Sequence, residues 1–140
     1  MFVKRVETEK EFNDALTVRK EVFVSEQNVP EEEEIDEYEN EAAHFVLYQD
    51  DKPGGAGRFR IVDGYGKVER ICVSKDARKG GSGKAIMQSI ESYAKEQGLD
   101  TLKLHAQTHA IPFYEKIGYD VISEEFLDAG IPHRTMKKNI

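Results

Sequence analysis

Apolar residues return at two different spacings along this chain, and the switch between them marks out the elements. Lys67-Val68-Glu69-Arg70-Ile71-Cys72-Val73-Ser74 alternates and is rich in β-branched side chains, as a strand requires. Downstream, Ala85, Ile86, Met87, Ile90 and Ala94 recur at helical spacing, which predicts a helix running to about Gln97. The same pattern predicts a first strand over Phe2 to Val6. A helix follows from Glu9 to about Val24, with Phe12, Ala15, Leu16, Val22 and Phe23 on one side. Ala43 to Tyr48 and Ala56 to Val62 read as a hairpin joined by a turn over Asp50-Asp51-Lys52-Pro53-Gly54, and Asp63-Gly64-Tyr65-Gly66 reads as a second turn. Thr101 to Ala106 alternates as a strand. Ala110 to Ile117 reads as a short helix that Gly118 can close with a left-handed cap, and Tyr119–Ser123 and Arg134–Lys138 are closing strands. The order β-α-β-β-β-α-β-α-β describes a mixed α/β chain.

With 140 residues the size prior favours one domain over residues 1–140, long enough for a single core. The chain has no stretch of about 18 apolar residues and no basic-then-apolar leader, so a cytoplasmic protein with no membrane partner is expected. The one cysteine, Cys72, has no internal disulfide partner, which suits a reducing compartment. No internal repeat and no Cys/His metal spacing is evident, so no metal is expected.

Charge changes the picture in one place. The net charge of −7 is concentrated in Glu31 to Glu41, where Glu31, Glu32, Glu33, Glu34, Asp36, Glu37, Glu39 and Glu41 all fall; setting these eight aside leaves 19 of the 27 acids against 20 lysines and arginines. A run of this kind reads first as a solvated, mobile loop. The sharper reading is an acidic lip that concentrates a cationic amine. Nucleic acid is not expected as a partner, because a polyanion would be repelled and the cations form no aromatic-interleaved stripe.

The segment Arg78-Lys79-Gly80-Gly81-Ser82-Gly83-Lys84 lies between the Lys67 strand and the following helix. Amides at a helix start lack intrahelical partners and carry partial positive charge, and glycines let a polyanion come close, so this turn can hold a phosphate. A nucleoside-triphosphate loop would need glycine at position 78 and Ser or Thr at 85, where Arg78 and Ala85 stand. A dinucleotide fingerprint beginning at Gly81 would need a third glycine where Ile86 stands. What remains is Arg-x-x-Gly-x-Gly from Arg78 to Gly83.

That motif resembles the pyrophosphate-binding motif of the GNAT superfamily of N-acetyltransferases. Gln107-Thr-His-Ala110-Ile-Pro-Phe113-Tyr114-Glu115-Lys116-Ile117-Gly118-Tyr119 resembles the superfamily's other signature, Asn-x-x-Ala-x-x-Phe-Tyr-Glu-Lys-Leu-Gly-Phe, and lies on the expected side of the first. Gln107 departs from the usual Asn while keeping an amide. Arg19-x-x-Val22-Phe23-Val24-x-Glu26-Gln27, followed by Glu34 and Asp36, is similar to a small bacterial branch of such acetyltransferases. The resemblance implies a mostly antiparallel sheet flanked by helices, with splayed fourth and fifth strands and acetyl-CoA as co-substrate. Many relatives pair as homodimers, so a homodimer is a candidate assembly.

On the same resemblance, the backbone of Ile71, Cys72 and Val73 would bond the pantetheine arm, Gln107 would contact it, and Arg78, Lys79, Gly80, Gly81, Ser82, Gly83 and Lys84 would cradle the pyrophosphate. Tyr114 would act as general acid toward the leaving thiolate; the alternative is a packed aromatic. The acceptor would be a small-molecule amine or a protein amino group. Such an amine is protonated at neutral pH, so a base or water relay is needed. Glu69 is a candidate because it precedes the cofactor strand end and shares a face with Ile71 and Val73 if the strand alternates; Glu26 is its rival. His44, His105, His109 and His133 lack local acid partners and are weaker candidates, with His105 on the strand lining the expected cleft. Cys72 as an acetyl-accepting nucleophile is disfavoured against a small buried hydrophobe. Arg19 and Glu26 either face the acceptor or solvate a helix end. A second function class keeps the fold as a non-catalytic acyl-CoA-binding sensor.

Overall fold

The computed structural model describes residues 1–78 and 80–140 and builds an eight-stranded sheet. Strand β1 (Phe2–Arg5) leads to helix α1 (Glu9–Arg19), which starts on a capping box. The Thr8 hydroxyl accepts from the Glu11 amide at 3.1 Å, while the Glu11 carboxylate accepts from the Thr8 amide at 3.1 Å. Past Arg19 the helix widens into a π-helical segment, Lys20–Glu26, and the Gln27 amide donates five residues back to the Val22 carbonyl at 3.2 Å. A single-turn helix α2 (Glu31–Glu34) occupies part of the acidic run.

Strands β2 (Ala43–Gln49), β3 (Lys52–Val62) and β4 (Tyr65–Val73) form an antiparallel meander. Both connecting turns are shorter than the sequence predicts. Asp50 and Asp51 take φ 52° and 62°, and Asp63 and Gly64 take 48° and 82°. Two left-handed central residues match the twist of the flanking strands, so two residues suffice, and Lys52 to Gly54 and Tyr65 to Gly66 join the ladder.

Helix α3 (Ser82–Glu96) crosses to β5 (Thr101–Gln107), and helix α4 (Ile111–Lys116) follows a 3₁₀ turn over Thr108–Ala110. The chain closes through β6 (Asp120–Val121), β7 (Phe126–Asp128) and β8 (Ile131–Asn139). The sheet runs β1-β2-β3-β4-β5-β8-β6, with β7 paired to β8, and its one parallel pair is β4 with β5. The β7 strand escapes sequence reading because three residues are too few to show a period.

The sheet carries a core on each face. Phe45, Leu47, Phe59, Val68, Ile86, Ile90, Leu102 and Met136 pack beneath α3 and α4. Ala15, Val18, Val22, Val46, Ala56 and Cys72 pack beneath α1. No helix among the described residues is long and apolar enough to cross a membrane.

Candidate active site

The site begins with a break in pairing. β4 and β5 are registered from Gly66↔Leu102 to Val68↔Leu104 and then part, although β4 continues to Val73 and β5 to Gln107. The cause lies on the other side of β4. The β3–β4 register shifts between Ala56↔Cys72 and Arg58↔Glu69, and Arg70 sits in the left-handed region at φ 58°. One extra residue there forms a bulge that bends β4 away from β5. The backbone of Ile71, Cys72 and Val73 is thereby left without a strand partner on the β5 side and faces an open cleft of ≈ 970 Å³.

The bulge also resets side-chain direction. Ile71 and Val73 pack on the α3 face, whereas Cys72 joins the core under α1. Glu69 lies across from Arg58, on the Cys72 side. Glu69 therefore does not share a face with Ile71 and Val73, because the alternation assumed for it stops at Arg70. Cys72 is buried as a small hydrophobe, and burial first, then the Glu34 charge, pushes its thiol far above the ordinary range.

The acidic run is not a solvated loop. Arg19 is 1% exposed and grips both oxygens of Glu39 at 2.8 Å, the Glu34 carboxylate at 3.1 Å and the Glu34 carbonyl at 3.0 Å. Arg58, equally buried, holds Asp36 at 2.7 Å, Glu39 at 3.0 Å and Glu69 at 3.0 Å. Arg60 adds 2.8 Å to Glu69, and Arg70 reaches Glu34 at 2.8 Å and Asp36 at 3.2 Å. Four guanidinium groups thus neutralise four carboxylates beside the cleft. Arg19 neither faces the acceptor nor solvates a helix end. Glu32, Glu33 and Glu37 remain exposed on the rim, with Asp128 across from them.

These pairs decide what the carboxylates can do. Burial alone would raise the Glu69 carboxyl, but the Arg60 hydrogen bonds and the Arg58 and Lys67 charges outweigh it and bring it down to about 2. A group that weakly basic does not hold a proton taken from an ammonium, so the base role expected for Glu69 is not supported. Glu26 lines the cleft but receives Arg78 at 2.7 Å. Arg78 also donates from Nε to the Val73 carbonyl at 2.9 Å, so its side chain ties down the strand end and does not stand free over the turn.

The glycine turn is left-handed at two successive positions. Gly80 and Gly81 have φ 91° and 82°, a region costly to any other residue, and Gly81 is the N-cap of α3. The Ala85 amide is the first to bond back, to the Gly81 carbonyl at 3.0 Å, which leaves the Ser82, Gly83 and Lys84 amides without helical acceptors. Gly83 has a further reason: a Cβ there would come within 3.0 Å of the Phe113 ring. The Ser82 side chain is buried against Met1, 3.7 Å from its sulfur, so Ser82 offers the turn only its amide. Lys84 is exposed; Lys79 lies outside the described residues.

On the opposite wall, Tyr114 is 7% exposed, packs edge-on to Phe113 and Tyr119, and lines the cleft. Burial raises its phenol far above the ordinary range, so the hydroxyl keeps its proton. At the end of β5, the Gln107 amide donates to Gln27 at 2.8 Å, bridging the mouth from the π-helical segment. His105, His109 and His133 line the same cleft; His44 lies behind the arginine network, its Nε2 2.7 Å from the Glu39 carbonyl.

The family described as acetyltransferase (GNAT) domain matches residues 4–140. The uncharacterized N-acetyltransferase YjcF of Bacillus subtilis (strain 168) is 58% identical over 132 residues, covering 94% of each chain. Among solved structures, an acyl-CoA N-acyltransferase from Pseudomonas aeruginosa superposes with a TM-score of 0.85 at 28% identity over 97% of both chains. An aminoglycoside 6'-N-acetyltransferase complexed with coenzyme A superposes at 0.80 over 99% of this chain and 97% of its own; at 15% identity it speaks for the fold alone.

Proposed function

This chain belongs to the GNAT acetyltransferase family and is an N-acetyltransferase; on that premise we propose that it moves an acetyl group from acetyl-CoA to a primary amine by direct attack. The observation that carries the reading is the Ile71–Val73 backbone, unpaired on its β5 side, which lines one cleft with Tyr114 and with Arg78, the residue that begins the glycine turn. The pantetheine arm would take the hydrogen-bonding places that β5 vacates, with Gln107 near its path once the Gln27 pair opens. The pyrophosphate would take the free amides of Ser82, Gly83 and Lys84. The solved acyl-CoA N-acyltransferase from Pseudomonas aeruginosa, at 28% identity, supports this choice of co-substrate.

Direct attack is favoured because the alternative nucleophile is buried on the wrong side of β4. The amine adds to the thioester carbon, an oxyanion forms, and the carbon–sulfur bond breaks as the amide forms. Tyr114 presents a phenol that stays protonated, so it donates a hydrogen bond to sulfur as negative charge builds there. The exposed Glu32, Glu33, Glu37 and Asp128 favour a cationic acceptor, as a small molecule or a protein amino group.

The test is thiol release from acetyl-CoA with spermidine, benzylamine, glucosamine, kanamycin and a lysine peptide. Tyr114→Phe is expected to lower turnover by about 10²-fold, in the range of an acid–base contribution, with acetyl-CoA affinity unchanged. Tight acetyl-CoA binding with no thiol release from any amine would refute transfer and leave an acyl-CoA-binding module.

A further inference from the structure

We infer that His133, on β8, is the group that takes the acceptor's proton, a role that rests on the transfer reading above. Its ring is 8% exposed and lies in the cleft wall with Tyr114, Gln107 and Glu69. Two contacts fix it. The ring stacks on Phe126 of β7 with an interplanar angle of 22°, and Nδ1 lies 2.6 Å from the Ile131 carbonyl. A carbonyl only accepts, so Nδ1 carries the hydrogen, and Nε2 of the neutral ring is left with its lone pair. Nε2 has no protein partner among the described residues and is not among their buried unpaired atoms, so it opens on the cleft.

The tautomer is the one a base requires, set by the backbone of the β7–β8 hairpin. The other candidates are committed elsewhere. Glu69 is held by Arg58 and Arg60, and Glu26 by Arg78. The charged and titratable groups around His133 are Lys67 and Glu69 from β4, His105 from β5, His109 from the turn after it, Asp128 from β7 and Tyr114 from α4. Burial, then Lys67, lowers His105, so that ring stays neutral beside His133 at neutral pH.

One proton leaves the ammonium for Nε2, giving imidazolium, and the freed lone pair forms the nitrogen–carbon bond. On collapse, the carbon–sulfur electrons go to sulfur. The second amine proton balances the one that ends on the thiol, and the first reaches solvent from His133.

The experiment measures kcat/KM for acetyl transfer from pH 5.5 to 10 with the best acceptor among spermidine, benzylamine, glucosamine and a lysine peptide, using roughly one assay per half unit across the range where an amine titrates. Wild type should plateau once the imidazole is neutral. His133→Asn keeps a donor for the Ile131 carbonyl but has no Nε2. It should lower kcat/KM at neutral pH by about 10²–10³-fold and replace the plateau with a tenfold rise per pH unit that tracks the free amine, while acetyl-CoA affinity measured by calorimetry holds. A plateau retained with turnover within about threefold of wild type overturns the role, since such a loss is far below an acid–base contribution. Absence of transfer in wild type despite acetyl-CoA binding refutes the transfer reading and this role with it. Transfer in His133→Asn at close to the wild-type rate with the plateau intact refutes only the role. Should the variant misfold, ¹⁵N NMR of the wild-type imidazole decides. A proton on Nδ1 and an Nε2 shift that moves on adding coenzyme A and the amine support it; a proton on Nε2 overturns it.

Discussion

Arg19→Met isolates the arginine network from the chemistry. Arg19 donates four hydrogen bonds, two to the Glu39 carboxylate, one to the Glu34 carboxylate and one to the Glu34 carbonyl. Methionine fills most of the space and offers no donor, so of the arginines Glu39 keeps only Arg58, beside the Asp36 amide, and Glu34 only Arg70. Stranding a buried charge by removing its partner costs about 3–5 kcal/mol, and the lower end applies because each carboxylate retains one arginine. A chain of 140 residues gains roughly 0.3 kcal/mol/K of entropy at its midpoint, so a loss of about 3 kcal/mol lowers Tm by about 10 °C. Calorimetry reads the shift directly, and urea unfolding checks it as a fall in midpoint at unchanged slope. A fall below about 3 °C would mean that the network's attraction only offsets its desolvation, and the reasoning would fail.

Two further outcomes follow from the same contacts. Glu39 and Glu69 have folded values of about 2 against an ordinary 4.5, so their contribution is complete above the ordinary value and is lost as pH falls toward 2; Tm measured from pH 7 to 3 should drop most steeply below 4.5, and a flat profile there would contradict the pairing. Gly81→Ala forces a Cβ into the left-handed region at φ 82° with no protein atom within 4 Å, so it should cost about 1–2 kcal/mol of stability and, by crowding the pyrophosphate, raise the Kd for acetyl-CoA about tenfold or more; unchanged affinity would move the phosphate elsewhere.

How much could be read from the chain depends on the range of each interaction. Ile86, Met87, Ile90 and Ala94 show α3 because a helix writes its burial at fixed local spacing, and all four are buried. Gly80 and Gly81 show the turn because few other residues tolerate their backbone. The acidic run misleads because its partners are Arg19, Arg58, Arg60 and Arg70, up to 36 residues from the carboxylates they pair with. A charge run with its counter-ions on other elements looks identical to a solvated one. His133 ranks among the weaker candidates for a related reason. Its partner is a carbonyl two residues away, and a search for an acid beside each histidine does not see it. The pairing that could have flagged it is Phe126 with His133 across a three-residue strand too short to show a period.

The bulge at Arg70 joins these threads. A glycine there would have advertised the left-handed backbone; arginine conceals it and costs about 1–2 kcal/mol in strain. The side chain offsets that cost, because the outward turn of the bulge lets the guanidinium reach Glu34 at 2.8 Å and Asp36 at 3.2 Å. The contact that stabilises the bulge therefore also pins the acidic segment against the cleft. Parting β4 from β5 exposes the backbone proposed above to bind pantetheine, and Arg70 closing onto Glu34 and Asp36 fixes the acidic segment whose rim is proposed to meet the amine. The open edge of β4 and the position of the acidic segment are thus coupled through one residue, Arg70. Glu69, one position earlier, is held by Arg58 and Arg60 and is committed to holding the sheet.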